Sequence, residues 1–384
     1  MTPPPLSLYV HLPWCVQKCP YCDFNSHAAG DAAPRQRYLD AVLLDLEVEA
    51  SKAAGRRIDS VFLGGGTPSL FSPDEIGRLL AGVQAHFDVA VDAEITMEAN
   101  PGTVECGDPA GYRAAGVNRL SFGGQSFNDE LLKKIGRIHN SQDIARAVGG
   151  ARDAGVDNVN IDLMYGLPGQ SVAMAIEDID RAVSLGPAHI SWYQLTLEPN
   201  TVFFARPPTD LPDDETAVEI QDRGQALLEE SGYRQYEVSA FARNDQKCRH
   251  NLNYWLFGDY LAVGAGAHGK ISGAGGVVRY MKPLNPLQYM KTIEAQGESA
   301  APVALAKADL VFEFMLNALR LTDGFSQSVF CERTGLSAAE LEGAMRNASE
   351  KGLVSRENES RWRPTALGMR FLNDLQAEFL PTQA

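Results

Sequence analysis

Apolar positions along the first two thirds of the chain fall into short runs, each stopped by glycine, proline or a polar residue, with amphipathic stretches between them. Leu6–His11, Ser60–Leu63, Ala93–Glu98, Asn118–Phe122, Asn158–Leu163 and His189–Leu197 read as strands. Arg35–Ala53, Asp74–His86, Ser141–Ala154 and Ala173–Leu185 read as helices, and Asn140 is an N-cap candidate. Strands alternating with helices imply parallel pairing through right-handed crossovers. The expected fold class is α/β, a partial (β/α)6 barrel over a doubly wound sheet. In either architecture ligands gather at the carboxyl ends of the strands.

The pattern changes after about Ile271. Ser272–Val277 is rich in glycine, and helical patterns follow at Lys307–Arg320, Ser326–Arg333 and Ala338–Lys351. A hairpin is expected over Leu353–Arg363 and a last helix over Ala366–Phe379. Two domains are therefore expected, 1–271 and 272–384. The second is a smaller α+β unit of winged-helix type. Its surface carries Glu340, Glu342, Glu350 and Glu357, which favours packing or partner contact over DNA.

The charge agrees. A net charge of −15 argues against a nucleic-acid or anionic membrane partner, although a local basic pocket can still hold an anion. The N-terminus has no basic region followed by an apolar run, and no apolar stretch is long enough to span a bilayer. The cytoplasm is the expected compartment.

Three of the six cysteines, Cys15, Cys19 and Cys22, crowd into one segment with C-x3-C-x2-C spacing. Such crowding points to metal in a reducing compartment. A structural zinc site usually takes four ligands in C-x2-C pairs. His11 and His27 are candidates for a fourth ligand, but the paired spacing is missing. Thiolates are the usual ligands of a [4Fe–4S] cluster, normally four of them. Three would leave one iron open to an amino and carboxylate ligand. Gly64-Gly65-Gly66-Thr67-Pro68 follows the second strand, and its backbone can approach such a ligand closely. Read alone it is also a plain tight turn.

The run His11-Leu12-Pro13-Trp14-Cys15-Val16-Gln17-Lys18-Cys19-Pro20-Tyr21-Cys22 resembles the signature of the radical SAM superfamily. With Tyr9 and Tyr21 it resembles the branch of oxygen-independent coproporphyrinogen III oxidase and related haem chaperones. The resemblance covers essentially the whole chain. It implies a [4Fe–4S] cluster on Cys15, Cys19 and Cys22 and S-adenosylmethionine (SAM) on the open iron. It implies SAM contacts at Tyr9, Tyr21, Gly65, Gly66, Thr67, Glu98, Gln125, Arg137, Asp162 and Thr196. The sequence departs from the family at Gly124, where Gly-Val-Gln is usual.

Two functions follow from the resemblance. The oxidase has a further cysteine two residues past the third ligand, where this chain has Phe24, and an arm before its first strand, whereas Tyr9 lies close to the start here. His250-Asn251-Leu252-Asn253-Tyr254-Trp255 resembles the H-N-x-x-Y-W element that the chaperones link with haem. An imidazole is a common haem ligand. The first expectation is a haem chaperone, with His250 as ligand, an acceptor protein that is in some cases membrane-bound, an electron donor, and no coproporphyrinogen oxidase activity. The alternative is an oxidase-type radical SAM oxidoreductase. No C-x-x-C-H motif is present, so haem is not expected to be covalently attached. His268, on the glycine-rich turn at 264–269, is a further candidate for contact with SAM or haem. Cys106, Cys248 and Cys331 are expected to be ordinary thiols.

Overall fold

Strand β1 (Leu6–Leu12) is buried at six of its seven positions, which is why it reads as a run and not as an alternation. A strand covered on both faces belongs at the centre of a parallel sheet. The computed structural model, which describes residues 3–30, 33–102, 105–296, 301–358 and 360–381, places it there. Parallel neighbours run outward on one side as β2 (Ile58–Gly65), β3 (Val89–Ala99), β4 (Arg119–Gln125), β5 (Asn158–Tyr165) and β6 (His189–Gln194).

Helices α1 (Arg35–Ala53), α2 (Pro73–His86), α3 (Ser141–Asp153) and α4 (Val172–Ser184) follow β1, β2, β4 and β5. Capping boxes open α2 at Ser72 with Glu75 and α3 at Asn140 with Asp143. Between β6 and the C-terminal module come α5 (Asp214–Glu230), the antiparallel pair Arg234–Glu237 and Ala240–Ala242, and α6 (Arg249–Trp255).

The expected α/β class with a partial barrel is the fold found. A seventh parallel strand, β7 (Asp259–Val263), pairs with the other side of β1. The sheet then continues antiparallel through β8 (His268–Gly273), β9 (Gly276–Met281) and Val303–Ala304. The expected domain boundary at Ile271 falls within β8. A second hydrophobic core, separate from that of the sheet, is built mainly from residues 310–379 and takes in Phe257 and Val277 from the barrel side. We propose a boundary near residue 305.

That second core is built on Phe314, whose ring meets Phe325, Phe330 and, from the barrel side, Phe257. Three helices and the hairpin Val354–Asn358/Arg361–Pro364 form the module as expected. Its last helix is broken at Phe371, not continuous.

Buried ion pairs hold the β8–β9 hairpin against the barrel. Asp259 accepts from Lys270 Nζ at 3.0 Å and from Arg56 at 2.8 Å. Lys282, just past β9, donates to Asp45 and Glu49 of α1, each at 2.7 Å. Among the described residues no helix is long and apolar enough to cross a membrane.

Candidate functional site

The cysteine loop leaves β1 and is closed on itself. Trp14–Cys15 pairs with His27–Ala28, so residues 15–27 form one excursion with pinned ends. The glycine segment after β2 is stapled to it, with Gly66 N donating to Leu12 O at 2.9 Å and Thr67 N to Trp14 O at 2.7 Å. A Cβ on Gly66 would lie 2.6 Å from Trp14 O and 2.7 Å from Pro13 O. Gly65 has φ +122° and packs on the His11 ring. Only glycine fits either position.

Cys15, Cys19 and Cys22 line one cavity of about 580 Å³ at the carboxyl ends of the strands. Among the described residues no group of three or more His, Cys, Asp or Glu converges on a single ion. A [4Fe–4S] cluster asks for something different, because each thiolate binds its own iron. Burial pushes the Cys15 and Cys22 thiols up, and iron binding offsets this by holding the thiolate. The donor set and its place fit the cluster.

The same cavity is lined by Tyr21, Gly65, Gly66, Thr67, Glu98, Gln125, Arg137 and Thr196, all expected for SAM. Arg137 donates to Asn100 Oδ1 at 2.6 Å and to Gly123 O at 2.8 Å, and its Nη1 stands 3.6 Å from Cys19 Sγ. Its Nε is buried without a partner. A carboxylate in the cavity would satisfy that donor. Glu98 accepts from Gly65 N at 3.0 Å. Burial, with a smaller push from Asp162, raises its carboxyl to about 7 against the pull of that hydrogen bond. An ammonium group beside it would favour the ionised form. Gln125 has φ +67°, sparsely populated for a non-glycine residue, and accepts from Tyr193 OH at 3.0 Å. Thr196 lies past the end of β6, not on it.

Three expected residues lie elsewhere. Asp162 is turned into β5, where Asn160 Nδ2 at 2.8 Å and Ser121 Oγ at 3.1 Å donate to it. It does not line the cavity, although Ser121 does. Tyr9 lines a second cavity of about 620 Å³ that shares Gly65, Glu98, Asp23 and Phe24 with the first. His250 lines neither cavity. It is buried on α6, with Nδ1 3.1 Å from Ser60 Oγ and Nε2 2.9 Å from Tyr254 OH. Burial lowers its imidazole to about 3, so the ring is neutral.

The second cavity is walled by Tyr254 and Trp255 of α6, Tyr260 of β7, and His268, Lys270 and Arg279 of the β8–β9 hairpin. Sequence reading did not assign Asn100, which donates to Thr67 and accepts from Arg137. Nor did it assign Arg320, which brings the C-terminal module to the first cavity and packs 4.3 Å from the Trp255 ring centre. Neither residue has a local sequence signal.

The family model for the radical SAM superfamily matches residues 9–182, and that for the HemN C-terminal domain matches 305–371. The chain is 46% identical over 382 residues to the heme chaperone HemW of Haemophilus influenzae, covering 98% of each chain. It belongs to the HemW family. The HemW of Escherichia coli is likewise 46% identical, over 380 residues and 98% of each chain. Among solved structures, coproporphyrinogen III oxidase (HemN) from Escherichia coli superposes with a TM-score of 0.83 at 27% identity, covering 98% of this chain and 90% of that one. The HemN C-terminal match begins at residue 305, just before the helix that carries Leu310 and Phe314 of the second core.

Proposed function

We propose that this protein binds haem and delivers it to an acceptor protein, with a [4Fe–4S] cluster on Cys15, Cys19 and Cys22 and SAM in the cavity beside it. The observation that carries the reading is the second cavity. Sites for small molecules are concave, mostly apolar and furnished with a few polar groups. This one offers the rings of Tyr254, Trp255 and Tyr260 to a flat macrocycle, and Lys270 and Arg279 reach its wall from their ion pairs with Asp259 and Glu313. The relatives named heme chaperones support the same reading.

The histidine of the H-N-x-x-Y-W element stands behind this wall. For His250 to reach iron, its bond to Tyr254 must open. Glu94 fixes the helix that carries it, accepting from Arg249 N at 3.0 Å and His250 N at 3.1 Å. At the other cavity, Glu98 and Gly65 would hold the amino group of SAM and Arg137 its carboxylate. With both bound, these residues would hold SAM beside Cys15, Cys19 and Cys22, where a cluster would supply one-electron reducing chemistry. The shared wall at Glu98 and Gly65 also suits the second reading, an oxidase-type enzyme acting on a tetrapyrrole next to SAM.

Anaerobic haemin titration of cluster-loaded protein tests the first reading. Wild type is expected to saturate at about one haem per chain. Absence of saturable binding, with decarboxylation of coproporphyrinogen in the presence of SAM and a reductant, would favour the second.

A further inference from the structure

We infer that His268 is an axial ligand to the iron of a haem held in the second cavity; this rests on the chaperone reading. Iron needs an imidazole that is reachable, neutral and free at a ring nitrogen. The chain has seven histidines. His189 and His250 are buried with both ring nitrogens hydrogen-bonded. His11 reaches the cavity wall but is held by Tyr9 OH at 3.0 Å and Asn25 O at 2.9 Å. His27 and His139 each bond a neighbour and lie outside the cavity, as does His86 at the end of α2.

His268 alone among the described histidines lines this cavity with its ring exposed and no hydrogen bond to either nitrogen. Burial of neighbouring surface and the nearby Arg279 lower its pKa, which keeps a lone pair available.

The position is built, not loose. His268 opens β8 and pairs with Met281 across the hairpin. Gly264 and Gly266, at φ +99° and +75°, turn the chain into it. Asn25, three residues past Cys22, donates to Ala265 O and Leu284 O, both at 2.9 Å, and ties the cysteine loop to this wall. Two residues along β8, Lys270 shares the face and the cavity. An imidazole and a cation thus stand on one strand, opposite the rings of α6. Ligation needs only donation of a ring lone pair to ferric iron with loss of its water or chloride, and no electron is transferred.

The test is haemin titration of the full-length, cluster-loaded protein, followed by visible absorption and electron paramagnetic resonance. The variants are wild type, His268→Ala, His268→Met and the surface control His86→Ala. Wild type and the control are expected to show the same high-spin signature of ferric haem with a single imidazole ligand. His268→Ala is expected to bind about tenfold more weakly, to lose that signature and to regain it with added imidazole. His268→Met is expected to keep stoichiometry with a shifted spectrum. Iron content and SAM affinity equal to wild type in both variants show that the fold is intact. Wild-type spectrum and affinity in His268→Ala would overturn the ligand assignment and leave the chaperone reading standing. Failure of wild type to bind haem would overturn both.

Discussion

Glu98 is the residue on which the two cavities meet, and its ionisation is the most informative single titration in the molecule. Its folded value, about 7, lies above that of an unfolded glutamate. Ionising it therefore costs stability, and the loss accrues as pH rises from about 4.5 through 7. In SAM-free protein, Glu98→Gln is expected to be more stable than wild type at pH 8 by about 2 kcal/mol, discounted for partial exposure, and indistinguishable from it at pH 4.5. Denaturant midpoints at the two pH values measure this, and a larger gap at low pH would contradict the assignment. The same variant is expected to lose SAM affinity while keeping its iron, as calorimetry and iron analysis can show. Cys19→Ser removes the thiolate beside Arg137 and is expected to abolish the broad visible absorption after anaerobic reconstitution. Retention of full iron and sulfide would refute that role. Glu98 and Gln125 were legible because strand-end chemistry is local in sequence, and Arg137 through the family resemblance. Asn100 and Arg320 were not, because their value lies in partners far along the chain.

At the scale of elements, the site depends on two segments held without slack. The glycine strand-end at Gly66 has carbonyl oxygens on both sides, neither of which can move without breaking β1 or the cysteine loop. Gly66→Ala is expected to lower iron per chain after reconstitution, whereas the substitution at Gly149, where a Cβ meets nothing within 4 Å, is not. The β8–β9 hairpin is held by Lys282, whose buried ammonium serves Asp45 and Glu49. Lys282→Ala leaves those carboxylates unpaired and is expected to cost about 3–5 kcal/mol in chemical denaturation. Most strands and helices were readable from period and punctuation. β7 was not, because nothing local says that Asp259–Val263 returns to the free side of β1. Nor was the pairing of the hairpin after it, for the same reason: register across distant strands is settled by packing, not by local pattern.

Across the whole molecule, the parallel sheet delivers the cysteine loop and the SAM-type cavity, and the later segments add a second chamber to its wall. Residues 254–279 and the C-terminal helix bearing Leu316 and Asn317 enclose it. The sequence could suggest haem through a motif, but not the chamber, whose walls come from segments spread from Tyr9 to Asn317. It also named the motif histidine as a haem ligand, and in the fold Tyr254 stands between that histidine and the cavity. The central claim is that haem occupies this chamber next to the cluster site. Its most direct test is a haemin titration of cluster-loaded wild type and Leu316→Trp, a substitution at a partly exposed wall position that fills the chamber. Wild type is expected to saturate at about one haem per chain, and Leu316→Trp to lose haem while keeping iron content and SAM affinity. Equal haem binding by the two proteins, or no saturable binding by wild type, would contradict the account.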